Sequence, residues 1–301
     1  MRYADGHSDF LSRAIDLPEK DWEKLVSPPE KLKRNDYIMQ IYAIYTSNDS
    51  LATKSALRQA QLFRKLKHPK ILSKSDVPDD DGQFSILLAL EGLLPIDGHP
   101  ELLYVFHNLG VRMASLVWSR INSFADGSLF EKPRTKRGIT PIGEEALKIM
   151  EELGWILDIS HLNDEGVKDV FKKFNGTIVA THSNPRHFCD IERNLPDEFM
   201  QEIAKRGGIM GVNYSIKFMT CGDEASIKDI IKNLEYMVKI MGEDAVGLGS
   251  DADGLPRYPE GFSSADDIHK IGKALVEAFG QDLAEKIAYK NWLGVLRNSL
   301  K

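Results

Sequence analysis

The sequence predicts an α/β protein built as one (β/α)8 barrel of the TIM type, with residues 1–301 forming a single domain. Eight short apolar runs alternate with segments of helical spacing along the chain. Neither GxGxxG nor GxxxxGKS/T follows any of these runs, so the nucleotide-binding motifs of open α/β sheets are missing. Most runs also end on a polar side chain, which is typical of barrels whose strands deliver an active site at their carboxyl ends.

The predicted strands are short and rich in apolar and β-branched residues. In chain order they are 1–7, 36–46, 84–92, 111–118, 155–161, 176–182, 208–214 and 244–251. Near-continuous apolar strands indicate a parallel sheet with helices on its faces. Eight such units in about 300 residues favour a closed barrel over an open doubly wound sheet.

The segments between the strands have the residue types of helix starts and stops. "NDEGVKDVFKKF" opens at Asn163, and "LPDEFMQEIAKRGG" has Pro196 near its start and Gly207 beyond its end. Such ends are expected of the helices that cross from one parallel strand to the next.

The charge and the apolar pattern of the sequence argue against two classes of partner, nucleic acid and membranes. The net charge of −6 argues against nucleic acid, which needs a concentrated basic face. Two short basic runs, at 31–34 and 132–137, are expected to be solvated surface. The opening residues "MRYADGH" lack the basic and apolar regions of a signal peptide, and no apolar stretch approaches the roughly 18 residues needed to span a bilayer. We therefore expect no membrane contact and a cytoplasmic location.

The two cysteines, Cys189 and Cys221, lack CxxC spacing. We therefore expect neither a disulfide framework nor a thiolate zinc site. Any metal in this protein must use nitrogen and oxygen ligands.

Five residues at predicted strand ends have the side chains of such a site. His7 and Asp9 are two apart, so on a strand both face one side. Glu91 ends the third strand, while His161 and His182 end two successive later strands. Since the strand ends of a barrel meet on one face, these five side chains are expected to converge.

Three imidazoles and two carboxylates can hold two divalent ions if one carboxylate bridges them. We expect Glu91 to bridge, with His7 and Asp9 completing the first ion and His161 and His182 the second. Two ions about 3.5 to 4 Å apart would share a hydroxide of lowered pKa, which acts as the nucleophile.

A carboxylate at the end of the eighth strand is the expected proton shuttle. Asp251 in "GLGSDADG" is preferred, because the competing Asp253 precedes a glycine and is typical of a turn. The other histidines fall in helices or loops and are expected to be structural or surface groups: His68, His99, His107, His187 and His269.

Several stretches together resemble the membrane (renal) dipeptidase family, zinc-dependent metallopeptidases related to the amidohydrolases, and suggest a microbial-type member. They occur in the family's order through nearly the whole chain: "DGHSDF", "EG" at 91, "LGVR" at 109, "LGWILDISH" at 153, "THSNPR" at 181, "ERNLPDE" at 192, "GGIMGVNY" at 207 and "GLGSDADGLPRYPEG" at 247. The resemblance implies two zinc ions on the five predicted ligands, Asp251 as the catalytic acid and base, and Arg193 as the group that binds the substrate carboxylate. An arginine suits that task because its planar fork matches a carboxylate.

One residue departs from the family pattern. Trp118 stands where the mammalian enzymes carry a histidine near the scissile bond, and an indole offers one N–H donor and no titratable proton. Trp118 and Asn213, which closes the seventh strand, are assigned with Arg193 to the substrate site.

The expected function is hydrolysis of the amide bond of a dipeptide or similar N-acyl amino acid. One alternative, raised by Trp118, is an amidohydrolase acting on a non-peptide amide, ester or lactone. A second is a barrel that binds metal and a small ligand without catalysis, although such a protein would not need Asp251. The family also makes a homodimer an expectation.

Overall fold

The computed structural model describes residues 1–47, 50–128 and 137–301, and within them eight parallel strands close into a barrel. The strands pair in chain order, and β1 also pairs with β8. Their bounds are β1 Tyr3–Ser8, β2 Tyr37–Tyr45, β3 Ser85–Glu91, β4 Val111–Ser115, β5 Ile156–Asp158, β6 Ile178–Ser183, β7 Met210–Val212 and β8 Val246–Leu248. The predicted fold class is therefore confirmed.

Helices lie between the strands. The α-helices of the described residues are α1 Phe10–Ala14, α2 Pro29–Arg34, α3 Ala52–Lys65, α4 Leu103–Asn108, α5 Pro141–Leu153, α6 Asp164–Lys173, α7 Asp197–Lys205, α8 Ile216–Thr220, α9 Ile227–Met241, α10 Ile268–Glu285 and α11 Asn291–Ser299. Short 3-10 helices cover Glu19–Lys24, Lys74–Asp76, Leu94–Ile96, Pro100–Leu102 and Ala265–Asp267, and Lys286–Lys290 forms a π-helix.

The predicted helix boundaries have physical causes in the structure. The Asn163 side chain accepts a hydrogen bond from the backbone N–H of Gly166 at 2.8 Å and so caps α6. Pro196 lies directly before α7, and Gly207 follows that helix with a φ of 73°. Both sequence patterns thus marked real helix ends.

β3 is buried along its whole length and β2 up to Ile44, which explains their apolar sequences. β2 and β3 pair in register from Met39 opposite Ser85 to Tyr45 opposite Glu91. This register places the last residues of the two strands side by side at the carboxyl end of the barrel.

A tryptophan packs against β1 and β8 where these strands close the barrel. A Cβ atom added to Gly6 would collide with the indole of Trp292, and one added to Gly247 would lie 2.6 Å from its Nε1. The same Nε1 donates a hydrogen bond to the carbonyl of Leu248 at 2.8 Å. Glycine in both strands therefore makes room for the ring that covers this seam.

The fourth strand is shorter than predicted. β4 ends at Ser115, so Trp118 lies in the loop that follows it rather than on the strand. In this loop Ser115 Oγ donates to the carbonyl of Val117 at 3.1 Å, which turns the chain out of the sheet.

The expectation about the cysteines is wrong in one respect, because Cys189 and Cys221 form a disulfide. The pair is 32 residues apart in the chain, with its Cα atoms at 5.1 Å. Short-range cysteine spacing carries no signal for a bond that only the tertiary fold brings together. The disulfide joins the loop after β6 to the end of α8.

The basic runs are only partly the solvated surface that we expected. In the run 31–34, Lys33 and Arg34 are exposed, but Lys31 is buried and its Nζ donates to the carbonyls of Glu23 and Leu25. Of the second run, residues 132–136 lie outside the described residues. Among the helices that are described, none has the length and apolar character that crossing a bilayer requires.

Candidate metal centre

The five predicted ligands lie together at the carboxyl end of the barrel. His7 belongs to β1, Glu91 ends β3 and His182 belongs to β6, while Asp9 directly follows β1 and His161 lies three residues after β5. All five are at least nine-tenths buried. The structure therefore brings into one interior cluster side chains that are up to 175 residues apart, from His7 to His182.

Glu91 is at the centre of this cluster. Its Oε1 lies 2.9 Å from Nε2 of His161, 3.5 Å from Nε2 of His182 and 3.6 Å from Nε2 of His7. One carboxylate oxygen thus lies within 3.6 Å of all three imidazoles, while the bridging role of Glu91 stays a prediction.

Asp9 reaches the cluster by a different route from the one that we predicted. It lies beyond the strand, at the start of α1, with φ −90° and ψ 14°. Strand alternation therefore does not explain why it faces His7, whose Nε2 is 3.9 Å from Asp9 Oδ2. Asp9 faces His7 because the chain turns from β1 into α1 at this residue.

Hydrogen bonds orient two of the imidazoles. The Thr181 hydroxyl donates to Asp158 Oδ2 at 2.5 Å, so its oxygen is left to accept from Nδ1 of His182 at 2.8 Å. This tautomer leaves the lone pair on Nε2, which faces Glu91. Ser119 Oγ lies 2.5 Å from Nδ1 of His161 and holds that ring in the same way.

The predicted site residues did not include Ser119, Thr181 or Asp158. Thr181 and Asp158 lie within the quoted strand ends "THSNPR" and "LDISH", and partners of this kind are expected beside any histidine ligand. This expectation could have identified Thr181 and Asp158 from the sequence. Ser119 lies in a loop whose path the sequence pattern does not predict.

Burial keeps the imidazoles neutral. Desolvation, with a further contribution from the charge of Arg193, lowers the pKa of His7 to about 3. Desolvation is also the main cause that holds the pKa values of His161 and His182 well below the ordinary range, with further contributions from Arg193 and then His7 at His161, and from His7 and then Arg193 at His182. Neutral imidazoles at physiological pH have the lone pairs that metal ligation needs.

The carboxylates are in the opposite situation. Desolvation, and next the charge of Asp251, raises the pKa of Asp9. Desolvation and the charge of Asp9 likewise raise the pKa of Glu91. A buried pair of like charges is costly unless a cation compensates it.

The residues fit divalent metal ions. Three buried atoms of the described cluster have no hydrogen-bond partner: His7 Nε2, Asp9 Oδ1 and Glu91 Oε2. Donor atoms lie within 4.8 Å of one another in each of three sets, namely His7, Asp9 and Glu91; Glu91, His161 and His182; and His7, His182 and Asp251. The first two sets coincide with the predicted division of ligands, which stays a prediction. The nitrogen and oxygen donors suit zinc and similar ions.

Arg193 borders the centre from the loop between β6 and α7. Its side chain is buried and donates to Ser183 Oγ at 2.9 Å and to the carbonyl of His182 at 2.8 Å. A guanidinium nitrogen also lies 3.2 Å from His161 Nε2, and the guanidinium stacks 5.3 Å from the ring centre of Phe218. Its Nε has no partner among the described residues.

Asp251 faces the same space from the loop after β8. Its Oδ2 accepts a hydrogen bond from Asn213 Nδ2 at 3.0 Å. Burial raises the pKa of Asp251, while the hydrogen bond from Asn213 and the charge of Arg193 oppose that rise. The competing Asp253 is occupied elsewhere, since its carboxylate accepts from the backbone N–H groups of Val26 and Ser27.

Trp118 lies beside the cluster without belonging to it. Its ring centre is 5.7 Å from that of His161 and 5.4 Å from that of Tyr45. It lines a cavity of about 700 Å³ together with Asp9, Glu91 and Asp251. This volume is enough for a small substrate.

A closed parallel barrel with a buried cluster of imidazoles and carboxylates at its carboxyl end is an arrangement typical of metal-dependent hydrolases. The model of the membrane dipeptidase family (peptidase family M19) matches residues 1–300. The chain therefore belongs to this family of metallopeptidases.

Individual relatives agree with this assignment. An uncharacterized Klebsiella pneumoniae protein of the pqqA 5′ region is 31% identical over 236 residues, covering 75% of this chain and 87% of that protein. Dipeptidase aclJ of Aspergillus oryzae is 34% identical over 198 residues, covering 65% of this chain and 46% of that protein. The match thus spans under half of the length of the Aspergillus relative.

A solved structure shares the whole fold. It is a metallopeptidase from Rhodobacter sphaeroides with a phosphinate mimic of the dipeptide L-Ala-D-Ala. The two chains are 26% identical, the match covers 99% of each, and the TM-score is 0.89.

Proposed function

We propose that this protein is a binuclear metal-dependent dipeptidase. The observation that carries the proposal is the position of the Glu91 carboxylate, whose Oε1 lies within 3.6 Å of the Nε2 atoms of three neutral imidazoles in a buried cluster. The substrate is a dipeptide or a similarly small N-acyl amino acid, the class to which the family and its dipeptidase members point.

His7, Asp9 and Glu91 would hold one ion, and Glu91, His161 and His182 the other, with zinc as the expected metal. When bound, the ions would supply a Lewis acid for the scissile carbonyl and activate a water near neutral pH. The orphaned buried atoms of His7, Asp9 and Glu91 support this division.

Asp251 would move the proton. Asn213 engages its Oδ2, which leaves Oδ1 to take a proton from the attacking water and to pass it to the leaving nitrogen. The raised pKa of Asp251 suits this task, because it makes the carboxylate a stronger base toward the water and brings its pKa closer to the pH at which the proton is exchanged.

Arg193 would bind the carboxylate at the C-terminus of the substrate. Its unpartnered Nε and its place beside His161 support this role. A fixed carboxylate positions the scissile bond over the metal centre, which lowers the entropic cost of the reaction.

The decisive experiment couples metal analysis to a substrate panel. Purified protein loaded with zinc, cobalt or manganese is assayed on L,L and L,D dipeptides, with N-acyl amino acids for comparison. We expect two equivalents of metal and turnover of at least part of the dipeptide set. A protein that stays fully active after thorough metal removal would refute the proposal.

A second candidate follows from Trp118. The indole beside His161 changes the wall of the cavity and carries no titratable proton, so the protein could act on a non-peptide amide, ester or lactone. Turnover of esters or lactones well above that of every dipeptide would favour this alternative.

Two further predictions concern the context of the protein. The homodimer remains a prediction, and light scattering on the purified protein in solution tests it. The cytoplasmic location also remains a prediction, and the disulfide argues against it because such bonds are typical of oxidising compartments. Cell fractionation distinguishes the compartments.

A further inference from the structure

A second, smaller cavity opens beside the metal centre. Its volume is about 230 Å³, and it is lined by residues of the β2, β3 and β4 loops, among them Tyr45, Glu91, Trp118 and Arg120. The larger cavity shares Tyr45, Glu91 and Trp118 with it. The smaller cavity is therefore a side pocket of the site in which the substrate binds.

The position of its walls is set by the fold. Tyr45 lies opposite Glu91 in the register of β2 with β3. Gly92 has a φ of 84°, and a Cβ atom there would lie 2.7 Å from the backbone nitrogen of Trp118. Only a glycine allows the loop of Trp118 to approach β3 this closely. The two aromatic rings meet at 64° with their centres 5.4 Å apart.

Arg120 gives this pocket a positive charge. Its guanidinium carbon lies 6.0 Å from the ring centre of Trp118, and its side chain is exposed to the cavity. Six other arginines of the described chain pair with a carboxylate: Arg34, Arg58, Arg137, Arg186, Arg206 and Arg297. Within the described ranges no carboxylate lies within 4.0 Å of the Arg120 guanidinium, which is thus available to an anionic ligand.

The pocket lies near the proposed carboxylate site. Trp118 packs 5.7 Å from the ring centre of His161, and Arg193 lies 3.2 Å from Nε2 of the same histidine. Trp118 thus contacts Arg120 at one side and His161, the neighbour of Arg193, at another.

We propose that Tyr45, Trp118 and Arg120 form a subsite for an acidic side chain on the C-terminal residue of the substrate. The aromatic rings cover the methylene groups of that side chain, and Arg120 pairs with its carboxylate. The inference rests on the proposed dipeptidase function and narrows its substrate class to dipeptides that end in aspartate or glutamate.

The test compares substrates of matched shape. We would measure kcat/KM for Ala-Glu and Ala-Gln, and for Glu-Ala and Gln-Ala, on the metal-loaded protein. The wild type should prefer Ala-Glu to Ala-Gln by about 10-fold, the value of one charge-assisted hydrogen bond. Because Arg120 is exposed, this preference should fall as salt is added.

Variants of Arg120 test whether this residue causes the preference for Ala-Glu over Ala-Gln. Arg120→Gln should bring the ratio of Ala-Glu to Ala-Gln close to one, whereas Arg120→Lys should retain part of it. Arg64→Gln is the matched control, because Arg64 is an exposed arginine of α3 outside both cavities. Calorimetric binding of phosphinate mimics of Ala-Glu and Ala-Gln gives a readout that does not depend on turnover.

Each outcome has one meaning. Equal rates on Ala-Glu and Ala-Gln in the wild type, or a ratio that Arg120→Gln does not change, would overturn the subsite while leaving the dipeptidase proposal intact. A preference for Glu-Ala over Gln-Ala alone would overturn its assignment to the C-terminal residue. Failure to hydrolyse any dipeptide in the metal-loaded state would overturn both proposals.

Discussion

Asn213 Nδ2 donates a hydrogen bond to Oδ2 of Asp251 across 3.0 Å, at the carboxyl ends of neighbouring strands. This contact engages one carboxylate oxygen and leaves Oδ1 outside the hydrogen bond, in a residue that lines the larger cavity. It gives the proposed proton shuttle a fixed orientation, so its removal should affect the reaction more than the fold.

Asp251→Asn should therefore retain the metal and lose turnover. The amide has nearly the shape of the carboxylate but cannot accept the proton, so kcat should fall by about 100-fold to 10,000-fold. Metal content by mass spectrometry and kcat on one dipeptide measure the two effects. Asp282→Asn, at an exposed position on α10, is the control. Turnover near that of the wild type would show that Asp251 is not the shuttle.

Arg193→Lys should weaken the binding of substrates with a free C-terminal carboxylate. Lysine keeps the charge but loses the planar fork, so KM should rise by about 10-fold to 100-fold. A dipeptide amide, which lacks this carboxylate, provides the comparison within the same variant. Equal losses on the dipeptide and its amide would mean that Arg193 acts through the fold alone.

The disulfide should stabilise the loop that carries Arg193. Asn194, the neighbour of Arg193, donates through Nδ2 to the carbonyls of Cys189 and Phe218. These hydrogen bonds and the disulfide from Cys189 to Cys221 together connect this loop to the region of α8. Replacing both cysteines by alanine should lower the free energy of unfolding by about 3 to 4 kcal/mol, the chain-entropy value for a loop of this length. Denaturant unfolding measures the loss.

Thiol counting tests the disulfide directly, because the chain has two cysteines in all. The unreduced, unfolded protein should show none, and the reduced protein two. Two reactive thiols before reduction would contradict the bond.

Gly6→Ala should destabilise the barrel. The added methyl group would collide with the indole of Trp292, and overpacking of this kind costs about 1 to 3 kcal/mol. Gly294→Ala is the matched control, since a Cβ atom there meets nothing within 4 Å and the residue lies inside α11. That change should stabilise the protein by about 0.5 to 1 kcal/mol. Melting temperatures that shift the same way in both variants would contradict the packing.

The barrel and the convergence of the five predicted metal ligands could be predicted because both follow from strand ends. Glu91 and His182 lie on strands, and in a parallel barrel the carboxyl ends of all strands share one face. His161 lies three residues past its strand but joins the same face, so the five side chains converge at the carboxyl end of the barrel as predicted.

What depends on loops could not be predicted. Asp9 faces His7 through the turn into α1, not through strand alternation. Trp118 lies past the end of β4, and Ser119 meets His161 because of that loop's path. The cysteine pair likewise depends on tertiary contacts, which periodicity does not encode.

We propose that the buried cluster of Glu91 and its histidines holds the metal on which hydrolysis depends. The most direct test removes metal by chelation and dialysis, then adds zinc back in measured steps while following hydrolysis of one dipeptide. We expect activity to vanish in the metal-free protein and to return as two equivalents are restored, while Glu91→Gln binds less metal and stays inactive. Undiminished hydrolysis by the metal-free protein would contradict the claim.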